Sequence, residues 1–167
     1  MKNMTTQDNL KEAFAGESQA NRKYLAFAEK AEQEGHKQVA KLFRAAAAAE
    51  TVHALNHLRV MGAVGKTSDN LKNAIEGETA EYRKMYPEFI EQAKKEKGLD
   101  AAILSFDVAN KVEKIHAGLY TQALDNLGKN KVVDYYVCSI CGNTVEGSAP
   151  ERCPICNAPE EMFRKID

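Results

Sequence analysis

Glu50-Thr51-Val52-His53 and Glu113-Lys114-Ile115-His116 decide how this chain folds. Both read E-x-x-H, and both lie inside long helical patterns. Residues three apart on a helix share a face, so each quartet aims a carboxylate and an imidazole at one point. Each quartet has an upstream partner with the same flanks: Gly16-Glu17 before Arg22-Lys23, and Gly77-Glu78 before Arg83-Lys84. Two E-x-x-H helices plus a Glu from each of two more form the ligand set of a carboxylate-bridged di-iron or di-manganese bundle. Glu17, Glu50, His53, Glu78, Glu113 and His116 complete one such set.

Four helical segments surround these residues. The spacing predicts helix A from about Asp8 to Gln33 and helix B from about Lys37 to Met61. Helix C runs from a cap at Thr67 or Ser68 to about Lys97, and helix D from about Asp100 to Leu127. A glycine just past each segment (Gly35, Gly62, Gly98, Gly128) is the expected stop signal. Pro87 removes one backbone donor inside helix C and is expected to kink it.

The helices fall into two related halves. A shift of 61 residues places Gly16-Glu17 on Gly77-Glu78 and Arg22-Lys23 on Arg83-Lys84. A shift of 63 places Phe43 on Phe106, Glu50 on Glu113 and His53 on His116. Each half reads as one helical hairpin, and two related hairpins would set the ligands around a local two-fold axis. Chance likeness of Ala-rich helices explains shared Ala and Phe, but not shared ligand residues. Antiparallel hairpins about such a two-fold make helices B and C parallel, so their connection must travel the length of the bundle. Helix B is about 37 Å long, and a connection of about 6 residues reaches only about 20 Å. A simple up-down-up-down bundle would fit the connection but make A and C parallel and break the two-fold; exchange of hairpins within a homodimer fits both.

Four buried carboxylates without counter-charge would be very costly, and two divalent cations supply that charge. Any one Glu here would ordinarily be a solvated helix residue; six matched ligands would not. Glu81 breaks the repeat, since its counterpart is Ala20. Glu78 and Glu81 are three apart, so Glu81 can face the same site as a seventh ligand. His57, Tyr24, Tyr82, Tyr86 and Tyr120 lie near this face. Core packing with a hydrogen-bonded polar tip is the ordinary role for each, and support of the ligands is the alternative. His36, at a helix start, is expected to be exposed.

All four cysteines follow the helices, after the polar linker Lys129-Asn130-Lys131 and the β-prone run Val132–Val137. Cys138-x-x-Cys141-Gly142 and Cys153-x-x-Cys156-Asn157 are metal knuckles, with Gly142 and Asn157 where positive φ is useful. Four thiolates suit zinc or a single iron, and the knuckles alone do not choose. The start Met1–Thr6 has no apolar run of a secretory signal, and no stretch suits a membrane span. The chain is therefore expected in the cytoplasm, where paired C-x-x-C binds metal rather than forming disulfides. A formal net charge of −1 over 167 residues gives no reason to expect nucleic acid or an anionic membrane as partner.

With both modules in view, the chain resembles the rubrerythrins along essentially its whole length. The resemblance rests on Gly16-Glu17, both E-x-x-H motifs, Gly77-Glu78-x-x-Glu81-Tyr82, Met85-Tyr86-Pro87 and the knuckles. Asn157 departs from the Gly common in the second knuckle. The resemblance implies a mainly α fold: a ferritin-like four-helix domain (1–130) and a rubredoxin-like domain (131–167). It implies a non-haem di-iron peroxidase that reduces hydrogen peroxide to water. Glu50 and Glu113 would bridge the irons, Glu17 would serve one, and Glu78 with His116 the other. The first iron would exchange Glu81, when oxidised, for His53, when reduced. A third iron, or zinc in some preparations, would sit on Cys138, Cys141, Cys153 and Cys156. No G-x-G-x-x-G fingerprint is present, so a separate NAD(P)H-dependent reductase or small electron carrier is expected. A ferritin-type ferroxidase or iron-storage protein is the alternative, and a zinc-stapled helical interaction module a third. The cysteine module argues against storage, which needs no electron port.

Overall fold

The computed structural model describes residues 4–167. Of the stretch read for a secretory signal, residues 1–3 lie outside the described residues. Among the described residues no helix is long and apolar enough to cross a membrane. The order is α1 (Thr6–Gln33), α2 (Lys37–Val60), α3 (Thr67–Ala80), a π-helical segment (Glu81–Met85), α4 (Tyr86–Lys95) and α5 (Asp100–Asp125). Three short strands follow: β1 (Tyr135–Cys138), β2 (Thr144–Glu146) and β3 (Phe163–Ile166). The chain divides into two compact units, Met1–Gly65 and Lys66–Asp167.

The first unit is the α1–α2 hairpin. A capping box opens α1: the Thr5 hydroxyl accepts from Asp8 N–H, and the Asp8 carboxylate accepts from Thr5 N–H. This satisfies donors that the first helical turn leaves free. Gly35, at φ 82°, turns the chain into α2. The seam is built from small residues: Ala28 and Ala31 of α1, with Ala40, Ala47 and Ala54 of α2. The three on α2 recur every seven residues, which keeps one stripe against the partner helix. Asn21 is buried in the seam, donating to Ala47 O (2.7 Å) and to Thr51 Oγ1 (2.8 Å). Larger apolar side chains stay outside: Leu42, Val52 and Val60 are 66%, 56% and 68% exposed.

The second unit packs α3, the π segment and α4 along α5. Neither Thr67 nor Ser68 caps α3. Lys66 takes the extended cap position (ψ 156°), no side chain closes the turn, and Thr67 is already helical. The disturbance expected at Pro87 takes the form of the π segment, with Pro87 in the first turn of α4. There Tyr86 N–H reaches back five residues to Glu81 O. A wider turn accommodates a ring that would otherwise meet the carbonyl four residues earlier.

The π segment also refines the internal repeat. Tyr24, Phe27 and Phe43 form an aromatic cluster with ring centroids 5.6 to 6.3 Å apart. Tyr86, Phe89 and Phe106 form its double, again 5.6 to 6.3 Å apart. Glu17 and Glu78 match at a shift of 61, but Tyr24 and Tyr86 match at one residue more. The extra residue falls within Glu81–Met85, where the helix is π.

The strands form a three-stranded antiparallel sheet in the order β2-β1-β3. The two knuckles have the same backbone bonding. Gly142 N–H donates to Cys138 O and Asn157 N–H to Cys153 O, both at 2.8 Å. Gly142 and Asn157 both have positive φ, 81° and 60°, as their positions demand. The first knuckle lies on α5: a Cβ at Gly142 would stand 3.8 Å from Val112 Cγ1.

Candidate metal centres

Three groups of metal-ligating side chains are assembled. Each group's donor atoms lie within 4.8 Å of one another. Two are carboxylate–histidine clusters, one per unit. The third is the four cysteines.

In the first unit Glu17 of α1 faces Glu50 and His53 of α2. His53 Nδ1 lies 2.9 Å from Glu50 Oε2. A hydrogen bond to Glu50 holds the Glu17 carboxyl above its usual range. Hydrogen bonds from His53 and Glu17 hold Glu50 below it. His57 contributes a field at Glu17 but is not one of the three donors. His36 is exposed, as expected.

In the second unit Glu78, at the end of α3, faces Glu113 and His116 of α5. His116 Nδ1 is 2.8 Å from Glu113 Oε2 and 3.8 Å from Glu78 Oε1. Burial, then the Glu113 charge, push Glu78 up to about 7. Glu81 opens the π segment and is not among the three clustered donors. It lies close enough that Glu113 adds to burial in raising its carboxyl. Tyr86 is raised by burial and by the charges of Glu113, Glu81 and Glu78. Tyr24 packs in the first aromatic cluster. Tyr82 accepts a hydrogen bond from Arg83 Nε at 2.9 Å. Tyr120 is exposed, on an apolar cleft beside His116.

These donors suit a divalent cation. Each cluster sets carboxylates against one another: Glu50 raises Glu17, and burial with the Glu113 charge raises Glu78. A cation at the same point relieves that repulsion and gains hard oxygen and imidazole donors.

The cysteine sulfurs lie 3.7 Å apart (Cys138–Cys156) and 3.5 Å apart (Cys141–Cys153), far beyond a disulfide bond. A tetrahedron with metal–sulfur arms of about 2.3 Å has edges of about 3.8 Å, so the spacing fits one tetrahedral ion. Burial raises the Cys141 and Cys156 thiols. Burial also opposes ionisation of Cys153, but the N–H groups of Cys156 and Ile155 bring it down to about 7. Buried Asn143 donates to Cys153 Sγ at 3.7 Å.

Two supporting residues carry weak or no sequence signal. Asn21, a polar residue on the apolar face four after Glu17, was a visible anomaly. Thr144 was not: its hydroxyl is 3.0 Å from His116 Nε2, across 28 residues of sequence and in a different module.

Comparison with known proteins agrees with this inventory. The rubrerythrin family model matches residues 8–124, and the model "Rubrerythrin, rubredoxin-like domain" matches 136–164. Rubrerythrin-2 of Clostridium acetobutylicum is 37% identical, covering 98% of both chains. Nigerythrin of Nitratidesulfovibrio vulgaris is 35% identical, covering 95% of this chain and 85% of its own. A solved structure titled as the partially reduced state of nigerythrin has a TM-score of 0.60. It is 32% identical and covers 99% of this chain and 88% of that one. The likeness extends through the helices and the knuckles: a mainly α, ferritin-like chain with a rubredoxin-like module.

Proposed function

Because this chain belongs to the rubrerythrin family, we propose that it is a non-haem di-iron peroxidase that reduces hydrogen peroxide to water. One observation carries the reading: the same chain holds two matched carboxylate–histidine clusters and a four-sulfur tetrahedron. The first two can hold a redox pair, and the third can hold a one-electron relay. A storage protein needs only the former.

Bound iron would supply two electrons to peroxide from the carboxylate–histidine set, replenished singly through the thiolate-bound iron. The chain's residues do the rest. Glu50 and Glu113 would each serve both ions, Glu17 one ion, and Glu78 with His116 the other. His53 would serve the first ion in its reduced state and Glu81 in its oxidised state. A carboxylate suits the ferric state better than a neutral imidazole, and Glu81 has no mate in the repeat. Burial and the charges of Glu113, Glu81 and Glu78 raise Tyr86, which leaves its hydroxyl a hydrogen-bond donor beside the second cluster. Two protons and two electrons convert one peroxide into two waters.

Residues 1–130 form the peroxide-reducing domain and 131–167 the electron port. The electrons come from a separate NAD(P)H-dependent reductase or small carrier, in the cytoplasm.

The active species is a homodimer in which α1 and α2 of one chain join α3–α5 of its partner. Each site then takes Glu17, Glu50 and His53 from one chain and Glu78, Glu81, Glu113 and His116 from the other. Helix α2 has 24 residues, about 36 Å. The Met61–Lys66 connection is too short to return along it. A two-helix hairpin also cannot bury both its sides, and the exposed Leu42, Val52 and Val60 need a cover.

The test is metal analysis with a visible spectrum, then anaerobic reduction and one equivalent of peroxide. Rapid reoxidation with loss of that peroxide is expected. A protein that loads iron yet leaves peroxide untouched, or that assembles into a hollow shell, would overturn the reading.

A further inference from the structure

We infer that the Thr144 hydroxyl holds His116 by its Nε2–H and so fixes the ring that offers Nδ1 to the metal cluster. The inference rests on the metal-centre reading above and deepens it.

Both histidines point Nδ1 at a glutamate, at 2.9 Å for His53 and 2.8 Å for His116. Their far sides differ. His116 Nε2 is 3.0 Å from Thr144 Oγ1, and that hydroxyl donates to Gly142 O at 3.2 Å. With its proton on the carbonyl, the Thr144 oxygen presents only lone pairs to the ring. It therefore accepts from Nε2–H, and the Nδ1 lone pair is left for a cation. With a cation on Nδ1, a ring bonded at both nitrogens cannot turn about χ2 without breaking one bond. Thr144 is itself anchored: it pairs with Val137 in the sheet and follows the knuckle that rests on Val112. The bond borders an apolar cleft lined by Leu71, Leu119 and Tyr120, where water competes poorly.

His53 has no such hold. Within its unit the described residues give its Nε2 no hydrogen-bond partner. The hydroxyl also joins two metal-binding groups, since Gly142 directly follows Cys141.

The test uses full-length chain freed of metal and titrated with cobalt(II), comparing wild type with Thr144→Val and Thr144→Ser. Cobalt on the four thiolates gives its own intense absorption and reports whether the module is intact. Cobalt at the carboxylate clusters shifts the ligand imidazole N–H protons far from the rest of the proton spectrum. In wild type the His116 N–H should exchange slowly with solvent. Thr144→Val keeps a β-branched strand residue but no acceptor. It should make that N–H exchange rapidly and weaken carboxylate-site binding by about 10-fold, within the usual range for losing a ligand's partner. Thr144→Ser should restore slow exchange. If cobalt binds but Thr144→Val matches wild type in both measurements, the role of Thr144 is wrong while the metal reading stands. If cobalt fills only the thiolates in wild type, the metal reading itself fails. Should the Val variant lose its thiolate absorption, the Ser variant still decides: rapid exchange there overturns the inference.

Discussion

The two carboxylate–histidine clusters are near copies in their donors and unlike in their surroundings. Glutamate and histidine stand 2.9 Å apart in one and 2.8 Å apart in the other. The first lies on an Ala-seamed hairpin, with no hydroxyl behind its imidazole among the described residues of its unit. The second lies under a cysteine module, with its imidazole held by a hydroxyl and an extra carboxylate nearby. A repeated helix pair can fix which atoms ligate. What packs behind each ligand decides whether it can let go.

The severest way to break the pairing is to remove a bridge. Glu50→Ala and Glu113→Ala should each lower metal affinity at the pair by more than about 100-fold, beyond the range seen for losing an outer partner. The two should be equivalent, because each strips the same donor from one cluster. Mixing the two variant chains sharpens the point. If hairpins are exchanged, the heterodimer regains one intact site from the unmutated halves, and part of the peroxidase activity with it. Metal analysis and turnover of the isolated heterodimer check this. An active, metal-loaded wild-type monomer would rule the exchange out.

Cutting the electron port separates chemistry from supply. Cys138→Ser should leave the helices folded and the carboxylate clusters loaded. A chemically reduced sample should consume one charge of peroxide at near wild-type extent. Steady-state turnover with a reductase should fall by about 100-fold or more, the loss of over 2.7 kcal/mol in transition-state terms. Full turnover by protein lacking iron in this module would remove its proposed role.

Much of this was legible in the sequence because ligand spacing is a local property. E-x-x-H at helical period and C-x-x-C knuckles specify their geometry within a few residues. Gly35, Gly62, Gly98 and Gly128 adopt the positive φ that a helix stop needs. Three features were not read. The π segment was hidden by the Arg22-Lys23 and Arg83-Lys84 flanks, which align at the shift of 61 although the aromatic residues beyond require one more. Thr144 is a tertiary partner, and nothing beside it in sequence marks it. The Thr5–Asp8 box was written plainly as T-x-x-D but lies just before the point where apolar periodicity begins.

Glu81→Ala probes the asymmetry that the π segment introduces. It removes a non-bridging donor, so the metal pair should persist with His53 retained on its ion in both redox states. The expected loss is about 10-fold in affinity for the ferric form, the weaker end of the range for ligand-shell changes, and little for the ferrous form. Metal loss equal to that of Glu50→Ala would show that Glu81 is not optional, and ligand exchange would lose its basis.

The smallest expected effect compares how the two hairpins begin. Helix α1 starts with a reciprocal Thr5–Asp8 box, whereas α3 starts at Lys66 with no side-chain cap. Thr5→Ala should therefore cost about 1 kcal/mol of stability, the usual worth of such a cap, while Thr67→Ala should cost next to nothing. The box also gives a sign for pH. Hydrogen bonds from Thr5 hold the Asp8 carboxyl below its ordinary value of 3.8. A depressed carboxyl contributes stability that is present above 3.8 and lost as pH falls through the lower folded value. Wild type should thus show a slight loss of α1 amide protection on acidification through that window, and Thr5→Ala should not. Hydrogen exchange at the first turn of α1, measured at several pH values, reads this directly. An identical acid response in both proteins would mean that solvent, not the box, satisfies that turn.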